Sequence, residues 1–241
     1  MNRRLALATV LCALLAAGAG CAGFGGGAID DDRLNQSAAY EWDTNATVTY
    51  NVTGEKYHAV VDVENGTEVP VYVNSQIEGE RPVSIRALKF RYPNGTVTNA
   101  TGSTVDVRNN GDRVKLTAQT SGKVAYTAPT EPKRFAAPSA VNGSYEVVLP
   151  GGMRVDAFLF GRVIPGGYST TLNEETNRVT LRWAQRDGGT LSVKYYLERD
   201  VRIFVGLAGV LGLVAIVGVV YYRRQIRVLE AQREVVDEFE T

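Results

Sequence analysis

The residues of this chain that could carry chemistry are few. Cys21 stands in the stretch AAGAGCAGFGGGAIDDD, residues 16–32, and the other cysteine, Cys12, lies in the apolar N-terminal leader. One cysteine outside a leader can form neither an internal disulfide nor a cysteine-rich metal site. His58 is the single histidine, which excludes a histidine metal cluster. A Ser-His-Asp arrangement would have to use it, inside the strand-like run 57–63. No G-x-S-x-G elbow, phosphate loop or dinucleotide fingerprint occurs. Glu174 and Glu175 sit between Asn173 and Asn177 and read as solvated turn residues. A carboxylate pair assembled by folding, as in a glycosidase, is the enzymatic alternative. Trp42 and Trp183 read as packing residues. No catalytic residue, cofactor or metal is therefore expected.

Two apolar segments decide where such chemistry would take place. The first, residues 5–17, follows Arg3 and Arg4. A charged start and a short apolar run form a secretory signal, and the run falls short of the roughly 20 residues that span a bilayer. The arginine pair also resembles a twin-arginine export signal, with a poor match beyond it. The second segment, residues 203–222, reads IFVGLAGVLGLVAIVGVVYY and carries no charge. As a helix it would be about 30 Å long, the thickness of the hydrocarbon core. Arg223, Arg224 and Arg227 follow it, and Glu198 and Asp200 temper Arg199 and Arg202 before it. Positive charge marks the cytoplasmic side. Residues 22–202 are thus expected outside the cell, with a single span and a cytoplasmic tail at 223–241.

That placement gives Cys21 two readings. Small residues Gly18, Ala19 and Gly20 precede it, as in a lipobox whose cysteine is lipidated, although Gly18 stands where leucine is usual. Alternatively Ala17-Gly18-Ala19 is an A-x-A cleavage site that leaves an exposed thiol. The Gly23–Gly27 run and the acids Asp30, Asp31 and Asp32 suit a solvated tether over 21–39 and favour lipidation.

Seven Asn-x-Ser/Thr sequons begin at Asn35, Asn45, Asn51, Asn65, Asn94, Asn99 and Asn142. They use 7 of the 12 asparagines between Cys21 and the span, where about 15% serine plus threonine predicts roughly two. The excess points to N-glycosylation. The competing reading is turn chemistry, which suits Asn65, Asn94 and Asn142 better than Asn45, Asn51 and Asn99.

Residues 40–202 must supply the scaffold, and they read as β structure. Period-2 runs recur at 46–53, 57–63, 69–73, 83–92, 105–108, 113–117, 123–127, 145–149, 153–160, 178–183 and 191–197. Asn-Gly, Asn-Gly-Asp and Asp-Gly-Gly turns separate several of them. About eleven strands without a helical window predict an antiparallel, Ig-like β-sandwich. Pro129, Pro132 and Pro138 mark a possible sub-boundary at 128–141. The segments VLPGGM and VIPGGY, fifteen residues apart, read as Pro-Gly turns, with a ligand loop as the alternative. In the tail, Ile226, Leu229, Val236 and Phe239 share one helical face, broken by Arg233. Ala208 and Gly212 form a small-xxx-small pair in the span.

The run GSYEVVLPGGMRVDAFLFGRVIPGGYSTTL, then VTLRW, then LSVKYYLERDVRIF entering the span, resembles a family of haloarchaeal surface lipoproteins with no assigned activity. The resemblance covers roughly residues 1–225 and implies location and architecture only. Charge is balanced, 26 basic against 26 acidic residues, so no nucleic-acid partner is expected. The expectation is a membrane-anchored surface protein that binds or assembles with an envelope or membrane protein and is not an enzyme. A carboxylate-dependent surface hydrolase and a component acting through the tail are the alternatives.

Overall fold

The computed structural model describes residues 30–239 other than 76–78, 101, 103, 140 and 158. Cys21, the leader and residues 21–29 of the expected tether lie outside them. In chain order the elements begin with α1 (Asp31–Leu34), β1 (Val48–Thr53), β2 (Lys56–Val63), β3 (Glu68–Ser75), β4 (Gly79–Pro82) and β5 (Arg86–Arg91). Then come β6 (Val97–Asn99), β7 (Val105–Asn109), β8 (Val114–Ala118), β9 (Gly122–Pro129), β10 (Arg134–Pro138) and β11 (Gly143–Val148). The last are β12 (Met153–Arg154), β13 (Arg162–Ile164), β14 (Ser169–Asn173), β15 (Arg178–Arg186), β16 (Thr190–Lys194), β17 (Tyr196–Leu197) and α2 (Glu198–Phe239). The protein is mainly β with one C-terminal apolar helix. Two compact units divide it: residues up to Trp42 with Asp62–Pro129, and Asp43–Val61 with Thr130 onward.

The first unit holds a four-stranded sheet, β4-β3-β8-β7, and the antiparallel set β9-β5-β6. In β8, Val114, Leu116 and Ala118 are buried while Lys115 and Thr117 are partly open. That alternation is what a strand with one buried face requires. Leu34 of α1 is also buried, so the expected tether gives way to core before residue 39. Further along, the Tyr40 hydroxyl donates to the Ala87 carbonyl at 2.6 Å and meets Thr127 Oγ1 at 2.9 Å. Ala87 has a φ of 54°, within a register shift of β5 against β9. Tyr40 thus satisfies a carbonyl that the irregular ladder leaves over. Burial pushes the Tyr40 phenol up to about 12, against the opposing hydrogen bond to Thr127.

The second unit contains the strands β14-β15-β11-β1-β2, the sheet β10-β16-β13, the pair β12-β17 and α2. Phe135 of β10 is fully buried, and its ring lies 5.0 Å from that of Tyr50 on β1 and 5.2 Å from that of Tyr57 on β2. Tyr50 and Tyr57 meet edge to face at 5.6 Å, the arrangement that aromatic quadrupoles prefer. The Tyr50 hydroxyl donates to the Pro138 carbonyl at 3.1 Å. Trp183 is buried, and its indole N–H donates to the Pro165 carbonyl at 3.2 Å.

Three features depart from the sequence reading. β1 and β11 pair in parallel, Val48 opposite Tyr145. Parallel neighbours need a long crossover, and the chain between them runs from residue 54 to 142, so no local pattern announces the pairing. The segment 128–141, where no period-2 run is expected, contains β10, because Pro129 and Pro138 fall at strand ends and Pro132 in the turn between. The strand expected over 153–160 stops at Arg154. Beyond it Phe160 N–H and Gly161 N–H both donate to the Ala157 carbonyl, at 3.0 and 2.8 Å, closing a turn.

α2 carries a stretch, Glu198–Arg227, long and apolar enough to cross a membrane. Its large apolar side chains from Ile203 to Tyr222 are exposed.

Truncating the aromatic centre of the second unit tests this packing. Phe135→Ala should lower unfolding stability by about 3–5 kcal/mol, read from denaturant titration, because the ring is fully buried between two tyrosines.

Candidate functional site: the junction between strands and helix

β17 ends at Leu197 and α2 begins at Glu198, with no residue between. The side chains of β12, β17 and the turn before β10 converge on this join. Arg154 of β12 bonds the Glu198 carboxylate at 3.0 Å, the Asn177 carboxamide oxygen at 2.6 Å and its neighbour's carbonyl, Met153 O, at 3.0 Å. Its side chain is only 17% exposed, so the guanidinium is largely withdrawn from competing water. Glu198 also pairs with Arg202 one turn on. Lys133 reaches Asp200 at 3.0 Å. Glu198 and Asp200 occupy the first helical turn, where the helix dipole favours negative charge.

Backbone bonds reinforce the clamp. Glu198 N–H donates to the Gly152 carbonyl at 3.1 Å, and Gly152 N–H donates to the Asn177 carbonyl at 2.8 Å. Gly152 has a φ of 75°, which only glycine adopts without strain. The first Pro-Gly-Gly segment is therefore the turn that seats the helix start. Tyr196 completes the join. Its hydroxyl donates to Asp156 Oδ1 at 2.6 Å and accepts from Ala157 N–H at 3.1 Å. Burial, then the hydrogen bond to Asp156, holds its phenol above the ordinary range. The arrangement fixes a helix on a β domain.

Sequence reasoning missed this cluster, since Arg154, Asp156 and Glu198 lie in three separate charge contexts. The signal that could have found it is the acid-rich ERD at 198–200 immediately before the apolar run.

The sequence-singled residues scatter over the surface. Asn35 follows α1 as its C-cap. Asn35, Asn45, Asn65, Asn94, Asn99 and Asn142 are exposed. Asn94 accepts from Thr96 N–H at 3.0 Å within its turn, and Asn99 accepts from Lys89. Asn51 differs: it is half-buried on β1 and its carboxamide oxygen takes Arg178 Nη2 at 2.6 Å. Arg178 also reaches the Leu149 carbonyl at 2.8 Å and the Val52 carbonyl at 3.2 Å, tying the ends of β1 and β11. His58 is half-buried on β2 opposite Asn51, with its pKa lowered by burial and then by Lys56. Glu174 and Glu175 are exposed in the turn after β14. Glu146 pairs with Arg182 at 2.5 Å. Among the described residues no group of three His, Cys, Asp or Glu could hold a metal ion.

Two outcomes are expected. Arg154→Ala should speed amide exchange at Met153 and Glu198 without unfolding the second unit, measured by hydrogen–deuterium exchange. For His58, the folded pKa lies below the unfolded one, so the unfolded state binds more protons between them. Stability should therefore rise with pH from that lowered value up to about 6.5. His58→Gln should flatten this part of a stability–pH curve followed by thermal melting.

No curated protein and no solved structure matches the chain. A model for a family of unknown function, DUF5803, matches residues 44–237, which take in the first unit from Asp62 to Pro129, nearly all of the second, the junction and nearly all of α2. The chain belongs to the DUF5803 family.

Proposed function

We propose that this chain is a single-pass cell-surface protein that displays its β domain outside the cell as a non-enzymatic binding or envelope-assembly subunit. The observation that carries this reading is the join at Leu197–Glu198. A domain built from β12, β17 and the 131–133 turn is clamped to the first turn of an exposed apolar helix. Such a join holds a display module on its anchor and leaves little reach for a soluble enzyme.

The arginines after residue 222 support a cytoplasmic C-terminus. The exposure of six sequon asparagines suits a glycosylated outer surface, with Asn51 kept for its bond to Arg178. Lipidation at Cys21 would add a second anchor at the other end of the ectodomain. The edge-to-face contact of Phe135 with Tyr57 and its tilted contact with Tyr50 support a sandwich-like arrangement of sheets inside the second unit. A second reading, action through the tail, is favoured by the continuation of α2 to Phe239.

Cross-linking in intact cells, followed by purification of the tagged full chain, tests the proposal. The expected result is a stoichiometric membrane or envelope partner that persists when residues 228–241 are deleted. Loss of that partner on deletion would favour the tail reading. A purified ectodomain that hydrolyses glycoside or ester substrates, with no partner captured, would overturn both.

A further inference from the structure

We propose that Leu159 and Phe160, in the loop that follows β12, form a membrane-contacting finger that enters the headgroup–acyl boundary of the bilayer that α2 crosses. The inference rests on reading α2 as a membrane span and adds a lipid-binding site on the β domain itself. In sequence Ala-Phe-Leu-Phe-Gly stands between Asp156 and Arg162, so charge stands only at the neck of the loop. Leu159 is 73% exposed, among the most exposed large apolar side chains of the described residues. An isolated exposed leucine needs no explanation; the position of this one does.

Phe160 packs its ring 5.5 Å from that of Phe204 and 5.9 Å from that of Tyr196. Phe204 is the second residue of the uncharged run that starts at Ile203. At about 1.5 Å of rise per residue, the loop therefore lies level with the entrance to the hydrocarbon layer. Aromatic and leucine side chains at that depth partition into the interface.

Part of the loop's backbone is satisfied internally. Ala157 N–H donates to Tyr196, and the N–H groups of Phe160 and Gly161 both donate to the Ala157 carbonyl. Lipid contact requires such internal satisfaction. The finger is also held closed. A Cβ on Gly161 would stand 2.1 Å from the Val155 carbonyl oxygen, so only glycine permits the return of the chain against Val155.

A protein partner is a poorer occupant. Stable interfaces bury about 1,200 Å² or more, whereas Leu159 and the open part of Phe160 offer a small patch. That patch is continuous with the exposed apolar side of α2, beginning at Ile203 and Phe204.

The test uses the full chain reconstituted in phosphatidylcholine vesicles with acyl chains brominated near the headgroup, which quench nearby tryptophan. Three variants are compared after subtraction of the native Trp42 and Trp183 emission: Leu159→Trp, Leu211→Trp in the middle of the apolar run, and Leu172→Trp on β14. Leu159 and Leu172 are exposed, so neither substitution disturbs the core. The expected result is a blue shift and loss of emission for Leu159→Trp, with Leu172→Trp unchanged. Quenching of Leu211→Trp by lipids brominated deeper in the chain, with Leu159→Trp matching Leu172→Trp, would overturn the finger and keep the span. Failure to quench Leu211→Trp at any depth would overturn the span and the finger together. A blue shift of Leu159→Trp that depends on protein density and not on bromine would assign the tip to a second copy of the chain and overturn the lipid contact.

Discussion

The absence of slack between Leu197 and Glu198 is the constraint on which the rest of the second unit depends. A strand that becomes a helix in one residue cannot absorb strain in a linker. The first turn of α2 must be braced where it emerges, and three polar contacts do that. Arg154 takes Glu198, Lys133 takes Asp200, and the Gly152 carbonyl takes the helix's first N–H. Individually, partly exposed ion pairs contribute little. Their value here is geometric, since each fixes a different strand or turn to the same helical turn. The Tyr196–Asp156 bond extends the brace to the loop that follows β12.

Away from the junction the described structure is held without a covalent cross-link, and two devices stand in its place. One is the aromatic group of Tyr50, Tyr57 and Phe135, which fastens the β10 sheet to β1 and β2. The other is Arg178. It bonds acceptors at the ends of β1 and of the chain following β11, across 127 residues of sequence in the bond to Asn51. A parallel pair has no hairpin turn to fix its register, and a many-handed cation at the strand ends does that work. The bond also gives Asn51 a structural role that its sequon motif obscures.

Strands with alternating burial were legible in the sequence: β8, β11, β15 and β16 each overlap a run of period two, because one face of each meets the core. Strands without that asymmetry were not. β14 is exposed along its whole length, so STTLN offers no pattern to read. β10 hides between prolines that sit at its ends and in the adjoining turn. The alternation of 153–160 was misleading, since the Ala157 turn and the close approach at Gly161 overrule it. The apolar helix announced itself by length and lack of charge, and the helix extends beyond the apolar run on both sides. The junction was not legible, because its partners come from residues 133, 154, 177 and 198, and only folding makes them neighbours.

The continuation of α2 to Phe239 has an electrostatic consequence. Arg223, Arg224 and Arg227 follow the apolar run, while four of the tail's five acids fall from Glu234 to Glu240. A flexible chain would let those acids fold back and neutralise the arginines. A helix keeps positions 224 and 237 apart by about 20 Å along its axis, more than twice the screening length of about 8 Å at physiological salt. On the proposed reading of α2 as a membrane span, Arg223 and Arg224 would then be left to anionic headgroups, and the acidic end would be carried clear of a negative surface that repels it. On that reading the tail would act as a rigid dipolar spar, its basic end next to the apolar run and its acidic end about 20 Å away along the axis.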